Sequence, residues 1–243
     1  MAITVMQRYE LKYLLDGAQT QSLRRQLEGH LQIDRYGRTS IASLYYDTPD
    51  DRLIRASLEK PDFKEKIRLR SYGLASADST VFLELKRKAE GIVYKRRAAT
   101  TIPAAARFFA GEDLLGGSEQ IRRELAFFRD QYRTLAPACL ILYDRTAYFE
   151  PGGDLRLTID ETPRYRTEGL TLTQSMDGLP LLPDGWSILE VKVQQAVPLW
   201  LSAILSEGGI CKTGFSKYGE AYRRIHTKQT TIALPALKLR GVA

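Results

Sequence analysis

Alternation of apolar and polar positions with period two marks eight stretches of the chain as strands: 8–14, 40–46, 64–71, 81–88, 92–101, 138–150, 155–161 and 187–193. Helical spacing marks five more segments. Residues 16–31 place Leu23 and Leu27 four apart behind Asp16 as N-cap, and 50–58 carry Leu53, Ile54 and Leu58 after the Thr48–Pro49 break. Ser118 opens a third helix to Tyr132 with Leu125 and Phe128 in its stripe, and 197–205 and 217–225 follow the last strand across Gly208–Gly209. Gly111 to Gly117 reads as a loop, and residues 229–243 as a loosely ordered tail. Neither a linker nor an internal repeat divides the chain, so a single domain over 1–243, with its core at about 5–228, is the expectation.

The polar faces of these strands are not mixed at random. Lys64, Lys66, Arg68 and Arg70 share one face, with Ile67 and Leu69 opposite. Glu84, Lys86 and Lys88 share another; so do Arg8, Glu10 and Lys12, Arg156, Thr158 and Asp160, and Glu190 and Lys192. One such strand is the ordinary solvated face of an antiparallel sheet. Five strands that each put Lys or Arg on one side, usually with one carboxylate beside them, suggest a different arrangement. If the sheet closes, its apolar faces turn outward under helices and its charged faces turn inward. An interior rich in cations then needs anions or water to fill it.

Composition narrows the partners. With 36 Lys and Arg against 29 Asp and Glu the net charge is +7, which favours an anionic partner. The charges read as inward pairs along strands and not as one exposed helical stripe, which argues against nucleic acid. No apolar run approaches the length of a membrane span, so any transport role would need a membrane partner. Arg8, Glu10 and Lys12 stand where a signal peptide would be apolar, and Cys139 and Cys211 are the only cysteines; a reducing cytoplasm is the expected location.

Seven motifs then fall in one order. Arg8-Tyr9-Glu10-Leu11-Lys12-Tyr13 resembles the opening strand of the CYTH-like superfamily, the triphosphate tunnel metalloenzymes, whose hallmark is E-x-E-x-K. Tyr45-Tyr46-Asp47-Thr48-Pro49, Lys66-Ile67-Arg68-Leu69-Arg70 and Glu84-Leu85-Lys86 are similar to its next segments. The stretch from Glu84 to Arg97, Tyr143 to Tyr148, Ile188 to Lys192 and Phe215-Ser216-Lys217-Tyr218 resemble the VTC domain, the polyphosphate polymerase branch. Arg8 replaces the first glutamate of the hallmark, a departure also seen in VTC-type domains; it removes one carboxylate and adds one cation.

The resemblance implies an α+β fold: an antiparallel β-barrel, the triphosphate tunnel, with helices packed outside. It implies that Lys12, Arg68, Arg70, Lys86, Arg145 and Lys217 act on the phosphates, with Arg8, Lys66, Lys95, Arg97 and Lys192 as further phosphate contacts. It makes Glu190 the first candidate to hold Mg2+ or Mn2+, followed by Glu10, Glu84 and Asp160. The implied activity transfers the γ-phosphate of ATP to a growing inorganic polyphosphate chain. A tunnel-type triphosphatase and a sensor of polyphosphate or inositol phosphates without turnover are the alternatives. Tyr45, Tyr46, Tyr143 and Tyr148 read as barrel packing or rim residues, and Asp47 as a turn and cap residue.

Overall fold

The computed structural model describes residues 9–59, 62–90 and 92–227. The site position Arg8 and the tail from 229 onward lie outside them. The described residues fold around one antiparallel sheet: β1 (Tyr9–Leu15), β2 (Gln32–Asp47), β3 (Phe63–Tyr72), β4 (Val81–Ala89), β5 (Ile92–Thr100), β6 (Ala136–Phe149), β7 (Arg156–Arg166), the short β8 (Leu179–Pro180) and β9 (Ser187–Val193). The strand order is β1-β9-β7-β6-β2-β3-β4-β5, with β8 on the flank of β7. No ladder joins β1 to β5 among the described residues, so the expected barrel is instead a strongly curled, open sheet. The curl is visible in the side chains. Lys86 of β4 reaches Glu10 of β1 at 3.4 Å although the two strands lie far apart in the order, which only the concave side of a curled sheet allows.

Six helices accompany the sheet among the described residues: α1 (Gly17–Leu27), α2 (Arg52–Leu58), α3 (Ile102–Phe109), α4 (Glu119–Tyr132), α5 (Leu199–Glu207) and α6 (Lys217–His226). None is long and apolar enough to cross a membrane. Capping follows the sequence. Asp16 accepts from Gln19 N while the Gln19 side chain returns to Asp16 N, a reciprocal box, and Ser118 accepts from Ile121 N.

The convex face is apolar, as the alternation predicts. Leu69, Leu83, Leu85, Leu140 and Leu142 pack under Phe108 of α3 and Leu125 and Phe128 of α4. Leu157, Ile159, Leu189 and Val191 pack under Leu23 and Leu27 of α1 and Leu201 of α5. Phe128 is wholly buried, and its truncation to Ala would cost about 3–5 kcal/mol. One polar device crosses this layer. Buried Glu65 binds Arg87 and accepts from Tyr132 Oη at 3.0 Å, tying α4 to the backs of β3 and β4.

Two helices depart from the expected outside packing. Ile54 of α2 and Tyr218 and Ala221 of α6 join Ile41, Tyr45, Cys139, Ile141 and Tyr143, residues that alternate onto the concave face with Arg68 and Arg145. Part of the concave face is thus an apolar plug, while the rest stays charged. Asp47 secures the plug. Its carboxylate accepts from Thr48, Leu53 and Ile54 N at 2.8–3.0 Å and from Tyr218 Oη at 3.0 Å, so it caps α2 from upstream and holds α6 beside it.

A bulge in β7 aims the next feature. Between the pairs Leu142↔Arg164 and Asp144↔Glu161 the strand carries one extra residue, and Thr162 there has φ of 45°. The insertion flips the alternation, so Asp160 faces the charged part of the concavity and Tyr165 the plug.

Candidate functional site

The β3–β4–β5 register sets Arg68 opposite Glu84 and Glu84 opposite Arg97. Glu84 is 2% exposed and spends both oxygens on cations. Oε2 takes Arg68 at 2.8 and 2.9 Å and faces Arg70 at 3.8 Å; Oε1 takes Lys95 at 2.8 Å and Arg97 at 2.7 Å. Burial would raise its pKa, but Arg68, Arg70 and Lys95 outweigh burial and hold it far below the ordinary carboxylate range.

Each arginine here is also gripped from behind. Arg68 donates to Tyr45 Oη at 2.8 Å, Arg70 to Tyr143 Oη and Ser43 Oγ at 3.1 Å, and Arg97 to Tyr72 Oη at 2.7 Å. A guanidinium fixed on two sides keeps its plane, and so keeps the fork that matches phosphate oxygens. Burial pushes the Tyr45 phenol up, yet Arg68, Lys66 and Arg70 bring it down to about 8.

The second cluster spans β1, β9, β7, β6 and α6. Asp160, fully buried, takes Arg145 in a two-pronged pair at 2.6 and 2.7 Å and also the Lys217 ammonium. Glu190 lies opposite Lys12 and Thr158 in the ladder and meets Lys12 and Arg145 at 3.5 Å, Lys192 at 3.6 Å and Lys217 at 4.0 Å. Burial opposes ionisation at both acids; Lys217 and Arg145 overcome it and lower both, Glu190 well below its ordinary value. Glu10 closes the circuit, with Lys12 at 3.2 Å and Lys86 at 3.4 Å.

Lys66 is different. No carboxylate of the described residues lies within ion-pair distance; its ammonium meets Ser216 Oγ at 3.5 Å and the Tyr218 ring at 5.8 Å. Desolvation, with Lys12, Lys64 and Lys86 nearby, lowers its pKa to about 8. It is a cation of the concave face with no carboxylate beside it among the described residues.

Of the positions singled out in the sequence, the concave face therefore gathers Lys12, Lys66, Arg68, Arg70, Lys86, Lys95, Arg97, Arg145, Lys192 and Lys217 around Glu10, Glu84, Asp160 and Glu190. The excess of positive charge could balance an extended, multiply charged anion. Tyr45 and Tyr143 do pack, in the plug, but their hydroxyls also accept from Arg68 and Arg70, a role the sequence reading does not assign. For Tyr46 and Tyr148 the packing reading stands: Tyr46 stacks on Phe109 at 3.8 Å on the convex side, and Tyr148 lies in the outer core.

For a divalent ion the four acids are unequal. Glu84 and Asp160 bond arginines at 2.6–2.9 Å, whereas Glu10 and Glu190 meet their cations only at 3.2–4.0 Å and flank one shared ammonium, that of Lys12. Among the described residues no three ligating side chains converge. Two carboxylates on one small cation fit Mg2+ or Mn2+, hard ions that keep several waters and need few protein oxygens.

Among solved structures the chain is similar to a "putative adenylate cyclase" from Bacillus halodurans, with a TM-score of 0.50 and 15% identity over 85% of this chain and 92% of that one. It is also similar to the "putative adenylyl cyclase HpAC1 from Hippeastrum", for which a dominant triphosphatase activity is stated, with a TM-score of 0.48 and 19% identity over 93% and 98% of the two chains. No curated protein matches in sequence. At such identities the structural likeness speaks of fold alone. The family model of the VTC domain, however, matches residues 7–226, nearly the whole described chain, and the chain belongs to the VTC domain family.

Proposed function

We propose that the protein is a metal-dependent polyphosphate polymerase that acts in the cytoplasm and moves the γ-phosphoryl group of ATP onto the end of an inorganic polyphosphate chain. One observation carries the choice of polymerase over hydrolase: in the charged part of the concave face each of the four carboxylates, Glu10, Glu84, Asp160 and Glu190, is already held by Lys or Arg, with its pKa pulled below the ordinary value. Such groups are poor proton acceptors, so a water nucleophile finds no good base among them. A phosphate terminus arrives already ionised and needs none.

Catalysis here is positioning and neutralisation of charge. Arg68, Arg70 and Arg97, oriented by their tyrosines, and Lys66, Lys86 and Lys95 grip phosphoryl oxygens from β3, β4 and β5. Arg145, Lys12, Lys192 and Lys217 do so from the other wall. A terminal oxygen of the chain attacks the γ-phosphorus in line, the bond from that phosphorus to the β-bridging oxygen breaks, and ADP leaves with that electron pair. Glu10 and Glu190 would hold Mg2+ or Mn2+, which neutralises charge on the phosphates when bound.

The test is purified protein with ATP and Mn2+ or Mg2+, read by gel staining for polyphosphate and by a parallel free-phosphate assay. Polyphosphate in excess of free phosphate is the expected result. Free phosphate alone with every metal would make the protein a triphosphatase, and tight polyphosphate binding without turnover would make it a sensor.

A further inference from the structure

Four buried side-chain polar atoms have no partner among the described residues: Thr100 Oγ1, Thr158 Oγ1, Arg164 Nε and Arg166 Nε. Thr100 alternates onto the convex face, away from Lys95 and Arg97. Arg164 and Arg166 follow the β7 bulge and alternate against Tyr165, hence also outward. Thr158 is the one on the charged concave face. It sits between Arg156 and Asp160 along β7 and opposite Glu190 of β9, and it is 9% exposed.

A buried hydroxyl without a partner costs stability, and most buried hydroxyls here avoid it. Thr20, for example, bonds Asp16 O and Ser187 Oγ, both at 2.7 Å. Thr158 has charged neighbours on its own strand and the next, yet Asp160 gives its oxygens to Arg145 and Lys217, and Glu190 faces Lys12, Arg145, Lys192 and Lys217. The hydroxyl is left free where an anion would lie against those cations, and its β-branched side chain is stiff about χ1.

We propose that Thr158 is a ligand-contacting residue whose hydroxyl donates a hydrogen bond to a phosphoryl oxygen of the bound triphosphate or chain. This rests on the reading that the concave face holds such an anion, but not on the reaction performed there. The free hydroxyl thereby trades stability of the empty protein for affinity.

That trade gives the test two readouts of opposite sign. Thr158→Val keeps the shape and the branch but removes the hydroxyl; Thr158→Ser keeps the hydroxyl. Binding of inorganic tripolyphosphate is measured by calorimetry without added metal, and melting of the free proteins is measured alongside. The expected result is a loss of about tenfold in affinity for the Val variant, with melting unchanged or raised, and near-normal affinity for Ser. Normal affinity in the Val variant overturns the assignment, as does lowered melting with binding intact, the mark of a merely structural hydroxyl. Wild-type protein that binds tripolyphosphate but makes no polyphosphate overturns the polymerase reading and leaves the Thr158 result to stand on its own.

Discussion

Glu84 and the Asp160–Glu190 pair both lie among Lys and Arg on one concave face, and they are built on opposite plans. Around Glu84 a single carboxylate faces Arg68, Arg70, Lys95 and Arg97, and tyrosine hydroxyls hold the three arginines from behind. Around Asp160 and Glu190 two acids, with Glu10 close by, nearly balance Arg145, Lys217, Lys12 and Lys192. The first wall is a preset cation rack whose acid is easily outnumbered by an incoming phosphate. The second is a closed ionic lattice in which acid and base position one another, and it is the wall to which the proposed function assigns the metal. Binding and turnover should therefore separate between the walls.

The largest effect should come from opening the lattice at its buried centre. Asp160→Asn removes the wholly buried carboxylate that Arg145 and Lys217 share and leaves them only the more distant Glu190, a loss of about 3–5 kcal/mol in unfolding by denaturant. Tripolyphosphate should restore more stability to this variant than to the wild type, because the anion replaces the missing charge. Wild-type stability throughout would mean that the lattice carries little. The same acids set the acid limb of stability. Their folded pKa values lie below the ordinary 3.8 of Asp160 and 4.5 of Glu190, so their contribution is complete above about pH 4.5 and is lost as pH falls through the lowered values.

Glu190→Gln tests the division of labour directly. Turnover should fall about a hundredfold, while the affinity for triphosphate stays within about tenfold, because the cation rack is untouched. Glu84→Gln should do the reverse: lower the stability of the free protein, with triphosphate restoring it, and keep turnover within about tenfold. Steady-state rates and calorimetry on the two variants decide the matter. Loss of turnover in Glu84→Gln with activity intact in Glu190→Gln would invert the assignment of the walls.

The third effect is one of pH. Lys66 has a pKa of about 8 in the free protein, and a bound anion raises it. Below pH 8 the ammonium is present in both states and affinity is full. Above pH 8 binding must take up a proton, so affinity falls with rising pH by up to about tenfold per unit for this one group. Tyr45, also at about 8, loses its proton over the same range and adds negative charge, which acts in the same direction. Calorimetry in buffers of different ionisation enthalpy would read the proton uptake, and Lys66→Arg should flatten the slope between pH 8 and 9. A flat wild-type profile would remove Lys66 from the anion's path.

Much of this arrangement was legible in strand alternation alone. Lys66, Arg68 and Arg70, and Glu84 with Lys86, take their common face from period two, and a ladder register needs only one correct pair to align the rest. The siting of α2 and α6 was not legible, because a helical stripe states that a face is buried and not which side of a sheet buries it. The arginine contacts of Tyr45 and Tyr143 were not legible for a related reason: an aromatic ring is apolar in sequence whether or not its hydroxyl meets an arginine. The helix α3 does carry a cap, Thr101 before Pro103, a local signal that the sequence reading does not use. The β7 bulge, which aims Asp160, depends on pairing between strands and leaves no local mark.

The smallest expected effect is at the tyrosines, and it sharpens the comparison most finely. Tyr45 Oη accepts from Arg68 at 2.8 Å, and its ring stacks on Tyr218 with centroids 4.6 Å apart, so Tyr45→Phe removes one acceptor and keeps the packing. One hydrogen bond to a charged group is worth about 1.5–3 kcal/mol, but Glu84 still holds Arg68 from the front in the free protein. The cost should therefore appear when phosphate draws Arg68 away from Glu84 and the tyrosine alone fixes the guanidinium plane. The expected signature is a KM for ATP raised about three- to tenfold with melting nearly unchanged, and an alkaline fall in affinity shallower than in the wild type, since no phenolate forms. Tyr72→Phe, behind Arg97 on the 35%-exposed rim of the rack, should do the same more weakly. If Tyr45→Phe lowers melting and leaves KM alone, the tyrosines belong to the plug and not to the rack.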